Sequence, residues 1–255
     1  MLAPPFDATM EAVLAQNVYD RADFFAGYSR LGRSVHGLDG AAEWPAVRAL
    51  LPDLTGLRVV DLGCGFGWFA RWASAHGAAH VRGLDLSQNM IARARAETAG
   101  DGVDYQVSDL ETAELPEASF GFAYSALAFH YVEDFGRLMR SVHRALVPGA
   151  GLVFTIEHPI FMAPSQPGWS ADAAGRRVWP IDRYGVEGRR VTDWLASGVV
   201  KHHRTVGTTL NTLVDAGFAI RRVVEWAPTD DQVAANPALA EERDRPMFLI
   251  VSATR

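Results

Sequence analysis

The stretch that most constrains this chain is Val59-Val60-Asp61-Leu62-Gly63-Cys64-Gly65-Phe66-Gly67, an apolar run carrying an acid and entering three glycines at alternate positions. Glycine has no Cβ, so the chain can turn sharply there and its backbone can approach a ligand closely. The following Trp68-Phe69-Ala70-Arg71-Trp72-Ala73 reads as a helix, which places unpaired helix amides over the loop. A strand, a glycine loop and a helix in this order form a nucleotide-type cofactor site. The spacing separates two cofactor classes. In a dinucleotide fingerprint the third glycine follows the second by three residues, on the helix that carries a pyrophosphate. Here it follows by two, and Asp61 stands two before the first. That acid would oppose a phosphate; it suits a zwitterionic ligand with a cationic group.

The 255 residues, 49% of them hydrophobic, suffice for one α/β domain with decorations and a full core. A formal net charge of -6 and a sequence pI of about 5.7 disfavour DNA, RNA and anionic membranes as partners. The sole cysteine, Cys64, lies inside the glycine loop, so an intrachain disulfide and a thiolate metal cluster are excluded and a cytoplasmic setting is expected. The amino terminus has no basic region followed by an apolar run, and no stretch reaches the roughly 18 apolar residues of a membrane span. A soluble protein is expected. Lys201 is the only lysine among 24 cationic residues, and the arginine bias reads as genomic composition.

From residue 57 to 157 strand-like runs alternate with helical patterns, the signature of βαβ units and a parallel sheet. Strands are expected at Leu57 to Asp61, His80 to Asp85, Val103 to Val107, Phe120 to Ser125 and Gly151 to Glu157. Ser87 is a helix N-cap, with Met90, Ile91 and Ala94 on one face. Phe135, Leu138, Met139, Val142, Ala145 and Leu146 form a buried helical stripe that Pro148-Gly149 ends. The alternation breaks over 158–204, rich in Pro, Gly, Trp and Arg, which reads as a substrate-side insertion without sustained period. The core resumes at Thr205, an N-cap for a helix stopped by Gly217, and ends in strands at Phe218 to Glu225 and Pro246 to Ala253. The expected organisation is one domain, with an amino-terminal helical cap at 1–45, a core at 46–157 and 205–255, and the insertion between.

Asp85 lies 24 residues after Asp61 at the carboxyl end of the next strand, where a carboxylate can accept both hydrogen bonds of a ribose diol. Together with Ser108-Asp109-Leu110 after the third strand and Leu146-Val147-Pro148-Gly149-Ala150-Gly151 before the fifth, these motifs resemble the class I S-adenosylmethionine (SAM) dependent methyltransferases over roughly residues 57 to 157. Ser125-Ala126-Leu127-Ala128-Phe129-His130-Tyr131 is similar to the small-molecule branch, of the type 11 or quinone-biosynthesis kind. The resemblance implies a Rossmann-like, doubly wound sheet of seven mostly parallel strands with the last antiparallel. It implies SAM as cofactor, S-adenosylhomocysteine as product, and a methyl acceptor that is a small molecule.

The resemblance also implies roles. Gly63, Gly65 and Gly67 form the loop, Asp61 helps hold the methionine amino end, and Asp85 takes the ribose. Asp109 accepts from the adenine amine, Leu110 covers the ring, and Met90 lies on its other face. Ser125 lines the methionyl moiety largely through its backbone. Tyr28, with Tyr19, covers the methionine carboxylate, and Arg33 pairs with it. The Asn/Asp-Pro-Pro-Tyr motif of exocyclic-amine methylases and the Pro-Cys pair of C5-cytosine enzymes are absent.

Methyl transfer from SAM is an in-line displacement in which the protein chiefly positions reactants. A general base is needed only where the nucleophile must lose a proton at neutral pH. Histidine is the natural candidate: His130 just past strand four, His158 after strand five, and His203 of the His202-His203 pair before the last core helix. Their separations lack a metal-ligand motif beyond that pair, so no metal is expected. Trp169, Trp179, Tyr184 and Trp194 read as a lid over an apolar substrate or as satellite packing. Arg176-Arg177 and Arg189-Arg190 read as acid-binding or as solvated loop charge. The alternative to an enzyme is a noncatalytic SAM-binding partner of the same fold; an NAD-dependent dehydrogenase fails on the glycine spacing.

Overall fold

A computed structural model of the chain describes residues 16–255, so the first fifteen residues of the expected cap lie outside the described region. A 3-10 turn at Val18–Asp20 leads into three short helices, α1 (Ala22–Tyr28), α2 (Gly32–Val35) and α3 (Trp44–Arg48). The core follows as β1 (Arg58–Leu62), α4 (Trp68–Ala75), β2 (His80–Asp85), α5 (Gln88–Glu97), β3 (Val103–Val107), β4 (Phe120–Ala126), α6 (Phe135–Ala145) and β5 (Leu146–Glu157). After α7 (Pro159–Met162) come the two-residue strands β6 (Ser170–Ala171) and β7 (Arg177–Val178), and then β8 (Gly188–Trp194) and β9 (Ala196–His203). The chain closes with α8 (Val206–Asp215), β10 (Ala219–Glu225), α9 (Asp230–Ala235) and β11 (Phe248–Thr254). No described helix is long and apolar enough to cross a membrane.

Seven strands form one sheet in the order β10-β11-β5-β4-β1-β2-β3, with β11 antiparallel to both neighbours and the first five strands parallel. Helices cover both faces, so the central strands bury both sides and read as apolar runs, not as alternation. On one face α6 packs Phe135, Leu138, Met139 and Val142 against Phe154 and Leu152; on the other, Phe69 and Ala70 of α4 and Ile91 of α5 cover Val59, Val81 and Tyr124. The caps act as expected: Ser87 accepts from Met90 N–H, and Thr205 from Thr208 N–H, both at 3.0 Å.

Two expectations are corrected. Strand β5 begins at Leu146 and not at Gly151, because Leu146 pairs with Phe120 while Gly151 pairs with Phe122. The Val147-Pro148-Gly149-Ala150 segment, with Gly149 at φ +80°, is thus a bulge within a strand. The insertion is ordered as a hairpin, in which β8 pairs antiparallel with β9 from Gly188 opposite His203 to Trp194 opposite Ala196. Its period escapes a hydropathy reading because the inward positions of β9 are Val199, Lys201 and His203, all buried. A lysine and a histidine occupy positions where a strand pattern expects apolar side chains.

Candidate active site

A cavity of about 530 Å³ opens over the carboxyl ends of β1, β2, β4 and β5, the crevice where α/β sheets bind ligands. One end is built by the glycine loop. Gly63, Gly65 and Gly67 all have positive φ, between 52° and 77°. A Cβ at Gly63 would lie 2.2 Å from the Ala128 Cβ, and one at Gly67 would meet the Tyr105 ring, so both glycines permit close packing. A Cβ at Gly65 would meet nothing within 4 Å. It would occupy space beside the cavity that Gly65 lines.

Asp61 and Asp85 face this end. The Asp85 carboxylate accepts the Gly65 N–H on Oδ2 and the Ser87 N–H on Oδ1, each at 2.9 Å. Burial pushes its pKa up to about 6 against those two bonds. Asp61 is 2% exposed, and its Oδ2 is buried with no hydrogen-bond partner. Burial, reinforced by the nearby Asp85, holds its carboxyl well above the ordinary carboxylate range. An unpaired buried carboxylate is costly unless a cation or donor completes it. The pair therefore fits a ligand with ribose-like hydroxyls and an ammonium group, and disfavours a pyrophosphate. Met90, fully buried, lines the same end.

The cap is fastened to this end by Asp20, which accepts from Ser87 Oγ at 2.5 Å and from Asn89 N–H at 3.0 Å at the start of α5. Tyr19 and Tyr28 thereby reach the cavity. Arg33 also lines it, but its guanidinium is held by the buried Glu43 at 3.0 Å and lies over the Phe248 ring.

The other end gathers Tyr19, His130, Tyr131, Glu157, Trp194 and Lys201. Lys201 Nζ donates to Glu157 Oε1 at 2.5 Å, with side-chain exposures of 4% and 14%, and lies 5.2 Å from the Trp194 ring centroid. Tyr19 Oη donates to Tyr131 Oη at 3.2 Å. Between the two ends runs Leu127, a non-glycine residue at φ +55° on the cavity wall. Such strained backbone concentrates at functional sites.

Of the three histidines expected near the reacting centre, only His130 lines the cavity. It is buried, and burial together with the cations Lys201 and Arg204 holds its pKa well below the ordinary value, so the ring is neutral. Its Nδ1 accepts the Glu157 N–H at 3.4 Å, which leaves the ring proton on Nε2. The expectation that His158 or His203 faces the cavity is not met. His158 caps α7, accepting from Ile160 N–H on Nδ1, while Nε2 bonds Glu225 at 3.0 Å. His203 shares the buried face of β9 with Lys201 but donates from Nε2 to the Tyr184 carbonyl at 2.8 Å and does not line the cavity.

Four cofactor candidates stand beside the cavity without lining it. Gly67 caps α4, and Leu110 is buried in the core. The Asp109 carboxylate accepts the Glu111 N–H at 2.9 Å. Ser125 Oγ donates to the Leu62 carbonyl at 2.6 Å, so its side chain ties β4 to β1. In the insertion, Trp194 reaches the cavity, whereas Trp169 and Trp179 stack with Arg245, whose guanidinium carbon lies 5.5 and 4.5 Å from their ring centroids. Arg190 is buried and spends its donors on the carbonyls of Ala163, Arg183 and Val186. Arg177 pairs with Glu241. Glu157 and Tyr131 carry no signal in the sequence, and Lys201 stands out there only as a weak candidate, the single lysine of an arginine-rich chain.

Comparison with known proteins agrees with this geometry. Residues 60–154 match the family model of a methyltransferase domain, Methyltransf_11. The chain is similar to a solved S-adenosylmethionine dependent methyltransferase from Mesorhizobium loti, with 66% identity, a TM-score of 0.83, and coverage of 86% of this chain and 100% of that one. A putative enzyme of the same kind from Listeria monocytogenes gives 36% identity and a TM-score of 0.77 over 84% and 98% of the two chains. An uncharacterized protein of Haemophilus influenzae is 32% identical over 247 residues, 94% of this chain and 97% of the relative. With the seven-stranded sheet, the glycine loop and the acids at the ends of β1 and β2 in place, the chain belongs to the class I SAM-dependent methyltransferases.

Proposed function

We propose that the protein transfers the SAM methyl group to an O, N or C atom of a small organic acceptor lodged in the His130, Glu157 and Lys201 end of the cavity. The observation that carries this reading is one continuous cavity lined both by Asp61 and Asp85 and by His130, Glu157 and Lys201. Its volume of about 530 Å³ lies within the usual range for small-ligand sites. The acidic end matches the cofactor, and the other end presents aromatic walls with a few polar groups.

In this reading Asp85 accepts from the ribose hydroxyls, Asp61 completes the ammonium end, and the backbone at Gly63 and Gly65 lies against the cofactor. Met90 covers one adenine face. Tyr28 and Arg33 lie towards the methionine carboxylate, and Glu43 aims the Arg33 guanidinium. Ser125 acts through its strand, by fixing the Ala126-Leu127-Ala128 backbone that forms the wall. When bound, SAM supplies an electrophilic methyl group on a sulfonium. The chain contributes alignment and exclusion of water, which are worth several kcal/mol for oriented reactants. His130, neutral with its proton on Nε2, offers a hydrogen bond to the acceptor.

The test is release of S-adenosylhomocysteine from SAM on addition of fractionated small metabolites, with SAM binding followed by calorimetry. Stoichiometric SAM binding with turnover in one fraction is the expected result. SAM binding with no turnover in any fraction, or no SAM binding at all, contradicts the proposal.

A further inference from the structure

The acceptor end has an imbalance of hydrogen-bonding capacity. Lys201 is 3% exposed, yet its ammonium makes one hydrogen bond, to Glu157, and keeps two N–H groups unspent beside the cavity it lines. His130 keeps a proton on Nε2, since Nδ1 accepts from the Glu157 N–H, and that proton is available to a ligand in the cavity that His130 lines. Tyr131 accepts from Tyr19, so its own O–H proton is left to point elsewhere. These three donors, two from the Phe129–Tyr131 turn and one from β9, line the same cavity, and Glu157 supplies the chief acceptor there, already engaged by Lys201. Lys201 and His130 are buried and Tyr131 half-buried, and buried polar groups are normally satisfied. The missing partner is an acceptor of hydrogen bonds.

The choice of lysine carries further information. Arginine serves every other cationic position of this chain, and Lys201 is the only ammonium. A compact ammonium directs several donors at one point, whereas a guanidinium presents a planar fork. Glu157 holds the ammonium in place while the empty end stays neutral overall. Trp194 and Phe161, also on the cavity wall, give an apolar surface for the rest of the acceptor.

We propose that Lys201 Nζ, His130 Nε2 and Tyr131 Oη form a three-donor site that binds the methyl acceptor through an oxyanion, either a carboxylate or an ionised phenol or enol, on a small apolar or aromatic body. The site rests on the cofactor reading above and deepens it. An acceptor held as its anion needs no protein base, which accords with a His130 that donates. Charge balances when both ligands are present, with Lys201 and the sulfonium on one side and Glu157 and the oxyanion on the other.

The experiment uses the full chain saturated with S-adenosylhomocysteine, titrated with benzoate and para-nitrophenol and with their neutral counterparts benzamide and para-nitroanisole. Calorimetry reads affinity, and absorbance reads whether para-nitrophenol binds as the yellow phenolate. At least one anion should bind tenfold or more tightly than its neutral counterpart, and the comparison of benzoate with phenolate identifies which kind of oxyanion the site takes. Lys201→Gln should erase that preference with S-adenosylhomocysteine affinity within about threefold, and Lys201→Arg should keep part of it. The double variant Lys201→Gln with Glu157→Gln removes charge from both members, so it guards against loss of folding, and it should lose the preference equally. Wild-type protein that binds neither anion, or binds the neutral molecules as well, overturns the proposal. So does a preference that survives in either glutamine variant. Failure of wild type to bind S-adenosylhomocysteine overturns instead the cofactor reading, and this site with it.

Discussion

In one half of the cavity Asp61 is buried with an oxygen that has no partner, while in the other half Lys201 and Glu157 are buried against each other. Both halves hold ionisable groups away from water, but only the first leaves an acid without a partner, its ionisation opposed by burial until a ligand completes it. A lone buried carboxylate selects a cationic ligand at some expense of stability in the empty protein. A buried pair is neutral as a unit, and it offers spare donors instead of spare charge. On the proposed reading the Asp61 half is tuned to one cationic ligand, while the Lys201–Glu157 pair stays satisfied when the cavity is empty.

This contrast should appear first in variants that strike one half only. Asp85→Ala removes the partner of two backbone N–H groups and of the ribose; charged hydrogen bonds are worth about 1.5 to 3 kcal/mol each. SAM affinity measured by calorimetry should fall by about 100-fold or more. Lys201→Met leaves Glu157 buried and unpaired, which costs about 3 kcal/mol of stability in denaturant unfolding. Its SAM affinity, once folded, should stay within about threefold. Equal effects of the two variants on SAM binding would erase the division between the halves.

The glycine loop sharpens the comparison within the cofactor half. Gly63→Ala should lower the stability of the empty protein, because its Cβ meets Ala128 at 2.2 Å and its φ is +77°. Gly65→Ala carries the left-handed strain of φ +52° but places its Cβ in open space, so it should cost less stability than Gly63→Ala and should also weaken SAM binding.

The smallest expected effect is a pH dependence from Asp85. An acid whose folded pKa is raised stabilises the fold fully below its unfolded pKa, and that contribution is lost as pH rises through the folded value, here about 6. Empty wild-type protein should lose stability between pH about 4 and about 6 relative to Asp85→Asn. SAM, which favours the ionised carboxylate, should bind about tenfold more weakly per pH unit below about 6. The Asp85→Asn profile should lack that limb.

The cofactor half was legible in the sequence because it is local: Val59 to Gly67 is one continuous strand and loop, and Asp85 ends the next strand. Periodicity also located α6 and α8, and cap chemistry located the starts of α5 at Ser87 and of α8 at Thr205. The other half was legible only in part: His130, Trp194 and Tyr19 stood out one by one, but only the fold brings them together with Glu157 and Lys201 from separate segments. The β9 strand that carries Lys201 was hidden by the two polar side chains it turns inward. His158 and His203 looked equivalent to His130 in sequence, and only their bonds to Glu225 and the Tyr184 carbonyl show that they are engaged elsewhere.

The central claim is that the unpaired Asp61 carboxylate is kept for a cationic cofactor. Asp61→Asn should therefore act in opposite directions on the empty and loaded protein, measured by thermal unfolding and SAM calorimetry on the same samples near pH 8. The account predicts a melting temperature raised by about 3 °C without SAM, as expected for about 1 kcal/mol in a chain of this size, and SAM affinity lowered at least tenfold. An Asp61→Asn protein that binds SAM as tightly as wild type would contradict it.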